Sequence, residues 1–212
     1  MRNIIIFIAM YCSGCVPAMA LNGTVGFIGA SYSSGTAPSG YCINGGEYLD
    51  LPTALTKISD YWIISAAQGG ASSYDKPGGW DGYMTQAWKL AAKSAVGNKT
   101  TLRVLVIDLV KECSTGCTTF EIEEMIDRIS EVISLAVQYR IKVVVAGYPD
   151  LSFVDPMMAL RHESRLAAIP GVIYAKIYTG ITTIDGVHPD TASMKIAAKR
   201  LETVLRGIDQ IN

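Results

Sequence analysis

The chain holds only two histidines, His162 and His188. His188 closes the stretch Asp185-Gly186-Val187-His188, in which a carboxylate three residues upstream can fold back onto the imidazole. Such a contact fixes the tautomer and stabilises the imidazolium formed when the ring takes a proton. Pro189 and a helix start at Asp190 follow directly, and they hold the loop in place. Spacing alone leaves His188 open between a turn residue at a helix start and a general base. His162, in Arg161-His162-Glu163 on an expected helix, reads as a solvated surface residue. A base of this kind serves a weak nucleophile, and serine becomes reactive only when a base within hydrogen-bond reach takes its proton. Ser31 has the right neighbourhood for that role. It stands in Gly29-Ala30-Ser31-Tyr32-Ser33-Ser34-Gly35, directly after an aliphatic run and among small residues that let a substrate approach closely.

Three other readings of the Ser31 loop fail on spacing. A phosphate loop requires GxxxxGK[ST], but Gly29 and Gly35 are one residue too far apart and no Lys follows. The dinucleotide fingerprint GxGxxG does not occur, and the elbow GxSxG would need glycine where Ser33 stands.

Elements must bring a serine near one end and a histidine near the other together. Aliphatic runs bounded by Gly, Asn, Asp or Pro predict strands at Thr24–Ile28, Tyr61–Ser65, Leu102–Ile107, Lys142–Ala146 and Val172–Ala175. These runs lack polar alternation, as strands buried on both faces of a parallel sheet do. Residues 118–138 carry Ile122, Met125, Ile126, Ile129, Val132, Ile133 and Ala136 on one helical stripe, behind a Thr118/Glu121 capping box. Further helices are expected from Trp80 to Val96, from Asp155-Pro156 onward, and over 190–206 with Asp190 as N-cap and Gly207 beyond the end. Five strands with helices between them imply a single α/β domain, a parallel sheet covered on both sides. Ligands of such sheets bind beyond the carboxyl ends of the strands, where the Ser31 and His188 loops belong.

Composition narrows the class further. Over 212 residues, 18 Lys+Arg stand against 19 Asp+Glu, and half the chain is hydrophobic. That balance lacks the basic footprint of a nucleic-acid binder and the polarity of a disordered chain. Met1-Arg2-Asn3, the apolar run Ile4 to Met10 and the small-x-small end Ala18-Met19-Ala20 predict a signal peptide over 1–20, with one domain over 21–212. The run is too short for a stable membrane span. Export would make the protein secreted or periplasmic, with lipid anchoring at Cys15 as a lesser alternative. An oxidising compartment permits a disulfide among Cys42, Cys113 and Cys117, whose partners stay open. A zinc site lacks ligands at suitable spacing, so no metal is expected. Tyr32, Tyr41, Trp80, Tyr83 and Tyr148 are candidates for either an apolar cleft or the core.

The Ser31 loop and Asp185-Gly186-Val187-His188-Pro189 together resemble the first and last blocks of the SGNH/GDSL hydrolase family, in block order and strand–helix rhythm over about residues 24–208. The resemblance implies a three-layer α/β/α fold around a central, mostly parallel five-stranded sheet of flavodoxin-like kind. It also implies a Ser31 nucleophile, His188 as general base and acid, and Asp185 as its orienting partner. Ser65-Ala66-Ala67-Gln68-Gly69-Gly70-Ala71 is similar to the family's second block. An oxyanion hole would then be built from the backbone N–H groups of Ser31 and Gly70. Two positions depart from the pattern. The family's GDS is Gly29-Ala30-Ser31 here, and its G-x-N-D block is replaced by Asp108-Leu109-Val110-Lys111-Glu112, without the Asn donor. Losing one such donor costs about 10²–10³ in turnover. Lys111 and Gln68 are the candidate substitutes, although Lys111 reads more readily as solvated. The expectation is an exported serine hydrolase that cleaves a carboxylic ester through an acyl-enzyme, without metal or organic cofactor. Its substrate would be a small-molecule, glycan or lipid ester. The alternatives are a non-catalytic binding protein on the same fold and an O-acyltransferase using the same three side chains.

Overall fold

A computed structural model describes residues 23–34, 49–96, 102–109, 118–150 and 154–210. The expected signal segment, Cys15, Cys42, Cys113, Cys117, Tyr41 and Lys111 lie outside the described residues.

The elements run β1 (Thr24–Ile28), α1 (Ser31–Ser34), α2 (Leu51–Thr56), β2 (Trp62–Ser65), α3 (Tyr83–Val96), β3 (Leu102–Asp108), α4 (Thr119–Gln138), β4 (Lys142–Ala146), α5 (Pro156–Ala167), β5 (Val172–Ala175) and α6 (Thr191–Gln210). All strand pairs are parallel, in the order β2-β1-β3-β4-β5. That is the flavodoxin-like order, and its switch point falls between β1 and β3.

Pleating divides the strand side chains between two cores, because successive residues point to opposite faces. Val25, Phe27, Val104, Val106, Val144 and Ala146 pack with α2 and α6 on one side. Leu105, Ile107, Val143 and Val145 pack with Leu90 of α3, the α4 stripe, and Met158 and Leu166 of α5 on the other. Gly26 faces the second core, where a Cβ would stand 3.0 Å from Leu90 Cδ1 and 2.8 Å from Leu102 Cδ1. Its missing side chain lets α3 lie close against β1.

β2 starts and β3 ends one residue later than expected, and the short α1 was not expected. Larger differences lie in other helices. Trp80 belongs to an antiparallel bridge with Lys76, and α3 starts only at Tyr83, after Asp75 Oδ1 has accepted the Gly82 amide at 2.5 Å. Helix α6 continues past Gly207 because Leu201, Leu205 and Ile208 extend one buried stripe. Helix α2 lies outside the expected set, although Asp50 caps it through the Thr53 amide at 2.6 Å and Pro52 follows. The same Asp-Pro logic opens α5 at Asp155. The remaining caps agree with the sequence. Thr118 and Glu121 form the capping box of α4, and Asp190 Oδ1 accepts the Ser193 amide at 2.7 Å at the start of α6.

Candidate active site

Strand β1 ends at Ile28, and the chain then turns sharply through Gly29, at φ +144°. A Cβ here would lie 2.6 Å from Asp108 Cβ and 2.7 Å from the Asp108 carbonyl oxygen, so only glycine passes the end of β3. Ala30 follows, and Ser31, half-buried, opens the single turn of α1. Ser33 fastens this turn to both neighbouring strands. Its hydroxyl donates to Asp108 Oδ2 at 2.7 Å, and its carbonyl accepts from Ser65 Oγ at 2.9 Å. Ser31 therefore stands above the β1–β3 switch point, where sheets of this order bind ligands.

The loop before α6 is an Asx turn wrapped around one carboxylate. Asp185 Oδ1 accepts the Val187 amide at 2.9 Å and the His188 amide at 2.6 Å. Asp185 Oδ2 lies 2.6 Å from His188 Nδ1. Gly186 supplies the left-handed φ of +82° that this turn requires. Ile184 donates its amide to the His188 carbonyl at 2.9 Å, and Thr183 bridges to Pro189. Burial pushes the Asp185 carboxyl up, but the His188 backbone and ring and the Val187 amide outweigh it and hold the group below its ordinary value. An ionised Asp185 is thus bonded to the imidazole, and both side chains are about nine-tenths buried.

Tyr32 joins the two loops. Its hydroxyl donates to the Val187 carbonyl, and its ring centroid lies 6.2 Å from that of His188. The residue after Ser31 is thereby tied to the residue before His188, across 155 positions of sequence. Tyr32 itself is wholly buried, packed edge-on against Tyr178 at 5.2 Å.

The loop carrying Gly70 reaches the same region. The Gln68 amide donates to the Gly29 carbonyl at 3.1 Å, and Ala71 closes a turn onto the Gln68 carbonyl. Gly70 has φ +82°. Trp80 Nε1 donates to the Gly69 carbonyl at 3.0 Å, and Lys76 Nζ stands 3.4 Å from the Gly70 carbonyl. Gln68 Oε1 accepts the Asp81 amide at 2.7 Å, so this side chain braces its own loop.

His162 corrects an expectation. It is fully buried instead of solvated, because the Asp155 cap phases α5 so that Met158, His162 and Leu166 face the sheet. Its Nδ1 lies 3.0 Å from the Tyr148 hydroxyl and its ring stacks on Tyr148 at 5.4 Å. Burial pulls its pKa down to about 4. Of the five aromatics weighed as cleft or core, Tyr32, Tyr83 and Tyr148 are core, whereas Trp80 stays half-exposed. Tyr83 donates its hydroxyl to the Asp108 carbonyl at 3.0 Å.

A residue missed at the sequence level is Gln86, wholly buried on α3. Its signal was a polar position on the same helical face as Tyr83 and Leu90. Among the described residues, no three His, Cys, Asp or Glu side chains gather as a metal site would need, and no helix is long and apolar enough to cross a membrane.

No protein-family model matches the chain, and neither does any curated protein. Solved structures do. A candidate arylesterase from Agrobacterium tumefaciens superposes with a TM-score of 0.61 at 18% identity, over 88% of this chain and 99% of its own. A candidate lipolytic protein of the G-D-S-L family from Desulfitobacterium hafniense gives 0.59 at 14% identity, over 86% and 99%. A carbohydrate acetylesterase from Sinorhizobium meliloti gives 0.60 at 13% identity, over 90% and 100%. By its parallel five-stranded sheet, its strand order and these likenesses along nearly the whole domain, the chain has the fold of the SGNH/GDSL hydrolases.

Proposed function

We propose that the protein is an exported serine hydrolase that cleaves a carboxylic ester through Ser31, His188 and Asp185. One observation carries this reading: the buried 2.6 Å contact between His188 Nδ1 and Asp185 Oδ2, on a loop that Tyr32 ties to the Ser31 turn. Held by Asp185 at Nδ1, the imidazole presents Nε2 as the atom that takes the Ser31 proton. Ser31 Oγ bonds to the ester carbonyl carbon, and the tetrahedral oxyanion faces the backbone N–H groups of Ser31 and Gly70. The C–O bond to the alcohol then breaks as the imidazolium returns the proton to the leaving oxygen. Water, deprotonated by the same ring, hydrolyses the acyl-enzyme and regenerates Ser31.

A fluorophosphonate probe should label the wild type at Ser31 and leave Ser31→Ala unlabelled. His188→Gln should abolish turnover of p-nitrophenyl acetate with an almost unchanged thermal midpoint. A variant that keeps most of its rate refutes the assigned base.

The non-catalytic alternative draws on Ala30 before Ser31, where the family has an acid, and on the missing Asn in Asp108-Leu109-Val110-Lys111-Glu112. It expects a folded wild type that neither labels nor hydrolyses any ester. Product analysis with an added alcohol acceptor separates hydrolysis from acyl transfer. Export rests on the sequence of residues 1–20. Mass spectrometry of protein recovered from a bacterial periplasm should find Leu21 as the first residue; an N-terminus at Met1 in that fraction rejects the cleavage site.

A further inference from the structure

Gln86 spends its whole amide on the turn that carries Ser31 and on the loop that carries Gly70. Its Oε1 accepts the Gly29 amide at 2.7 Å, and its Nε2 donates to the Gly29 carbonyl at 3.2 Å and to the Asp81 carbonyl at 2.9 Å. The Gly29 carbonyl also accepts the Gln68 amide at 3.1 Å, and Gln68 Oε1 accepts the Asp81 amide at 2.7 Å. The bonds close a ring: Gly29 to Gln86, Gln86 to Asp81, Asp81 to Gln68, and Gln68 back to Gly29. Helix α3 anchors that ring to the sheet, because Leu90, one turn beyond Gln86, fills the space left by the missing side chain of Gly26.

A buried glutamine is otherwise a poor choice for a helix face. An apolar residue would pack there without needing three hydrogen-bond partners. Here every partner is a backbone group within two residues of a candidate oxyanion donor or on the strap behind it. We propose that Gln86 is a positioning residue of this active site: through the ring with Gln68 it sets the spacing between the backbone N–H groups of Ser31 and Gly70, which must carry the oxyanion without the usual Asn. The inference rests on the reading of Ser31 as nucleophile. A displacement of about 1 Å between groups of this kind can cost on the order of 10² in rate.

The test is turnover per competent site. Fluorophosphonate titration counts reactive Ser31 hydroxyls in wild type and Gln86→Met, and p-nitrophenyl acetate kinetics gives kcat and KM for each. The expected result is a labelled fraction near that of the wild type, kcat per labelled site about 10- to 100-fold lower, and KM within roughly twofold. A merely structural role would lower the labelled fraction and leave turnover per site unchanged. Should Gln86→Met not fold, Gln68→Met breaks the same ring from the half-buried loop side and is expected to lower kcat per site in the same direction. Wild-type activity with unchanged turnover per site in the folded variant overturns the inference and leaves the Ser31 reading standing. A wild type that neither labels nor turns over ester overturns both.

Discussion

Asp185 is the side chain on which the proposed chemistry turns, and its two oxygens divide the labour. One receives two backbone amides and fixes the loop, and the other holds the imidazole. Asp185→Asn keeps the size but offers an N–H where His188 Nδ1 should donate, so turnover is expected to fall by about 10⁴ while labelling by fluorophosphonate slows rather than shifts to another residue. The second histidine makes a prediction about stability. His162 titrates near 6.5 when unfolded and at about 4 in the fold, because burial disfavours the imidazolium. Its contribution is fully present above pH 6.5 and is lost as pH falls to about 4, a difference of about 3 kcal/mol. Urea midpoints at pH 7, 5 and 4 should show that loss, and His162→Leu should flatten the slope. An equally steep slope in the variant assigns the acid sensitivity to other groups. The DxxH spacing around His188 was legible in the sequence. The burial of His162 was legible in principle, as one member of the Met158, His162, Leu166 stripe, but Arg161 and Glu163 beside it suggested a solvated face.

Strand β1 and the turn after it are the elements that decide whether a site exists. Gly29 lies against Asp108 with no room for a methyl group and a φ that L-residues avoid. Gly29→Ala should therefore cost about 3 kcal/mol, read as a lower urea midpoint by circular dichroism, and remove activity with it. A variant of unchanged stability would mean that the turn can relax. The Thr118–Glu121 box, by contrast, sits on the surface at the start of α4. Thr118→Ala should cost only about 1 kcal/mol and leave catalysis alone. Strands β1, β4 and β5 follow the expected boundaries, because aliphatic runs flanked by turn residues leave little choice of element. The starts of α2 and α3 were harder to see, since a six-residue helix has almost no period and the Lys76–Trp80 bridge is made by backbone, not by side-chain pattern.

Over the whole molecule, two cores clasp one sheet, and stability is distributed accordingly. Among the described residues, β1, β3 and β4 lie inside the sheet, whereas β2 and β5 are its edges and only partly buried. Amide hydrogen exchange should be slowest in Val104–Ile107 and Val143–Ala146 and fastest among strands in Trp62–Ser65. A protected β2 would point to a partner on that edge. The sequence by itself determined the α/β class, the five strands, the main caps and the pairing of Asp185 with His188. All of these are local, set by periodicity, turn chemistry or a separation of three residues. Only the tertiary structure decided that the Ser31 turn lies against the His188 loop through Tyr32, that Gln68 braces its own loop, and that Gln86 grips Gly29. Those contacts join residues far apart in the chain, and what brings them together is the strand order and the packing of helices on the sheet, which no short window of residues encodes.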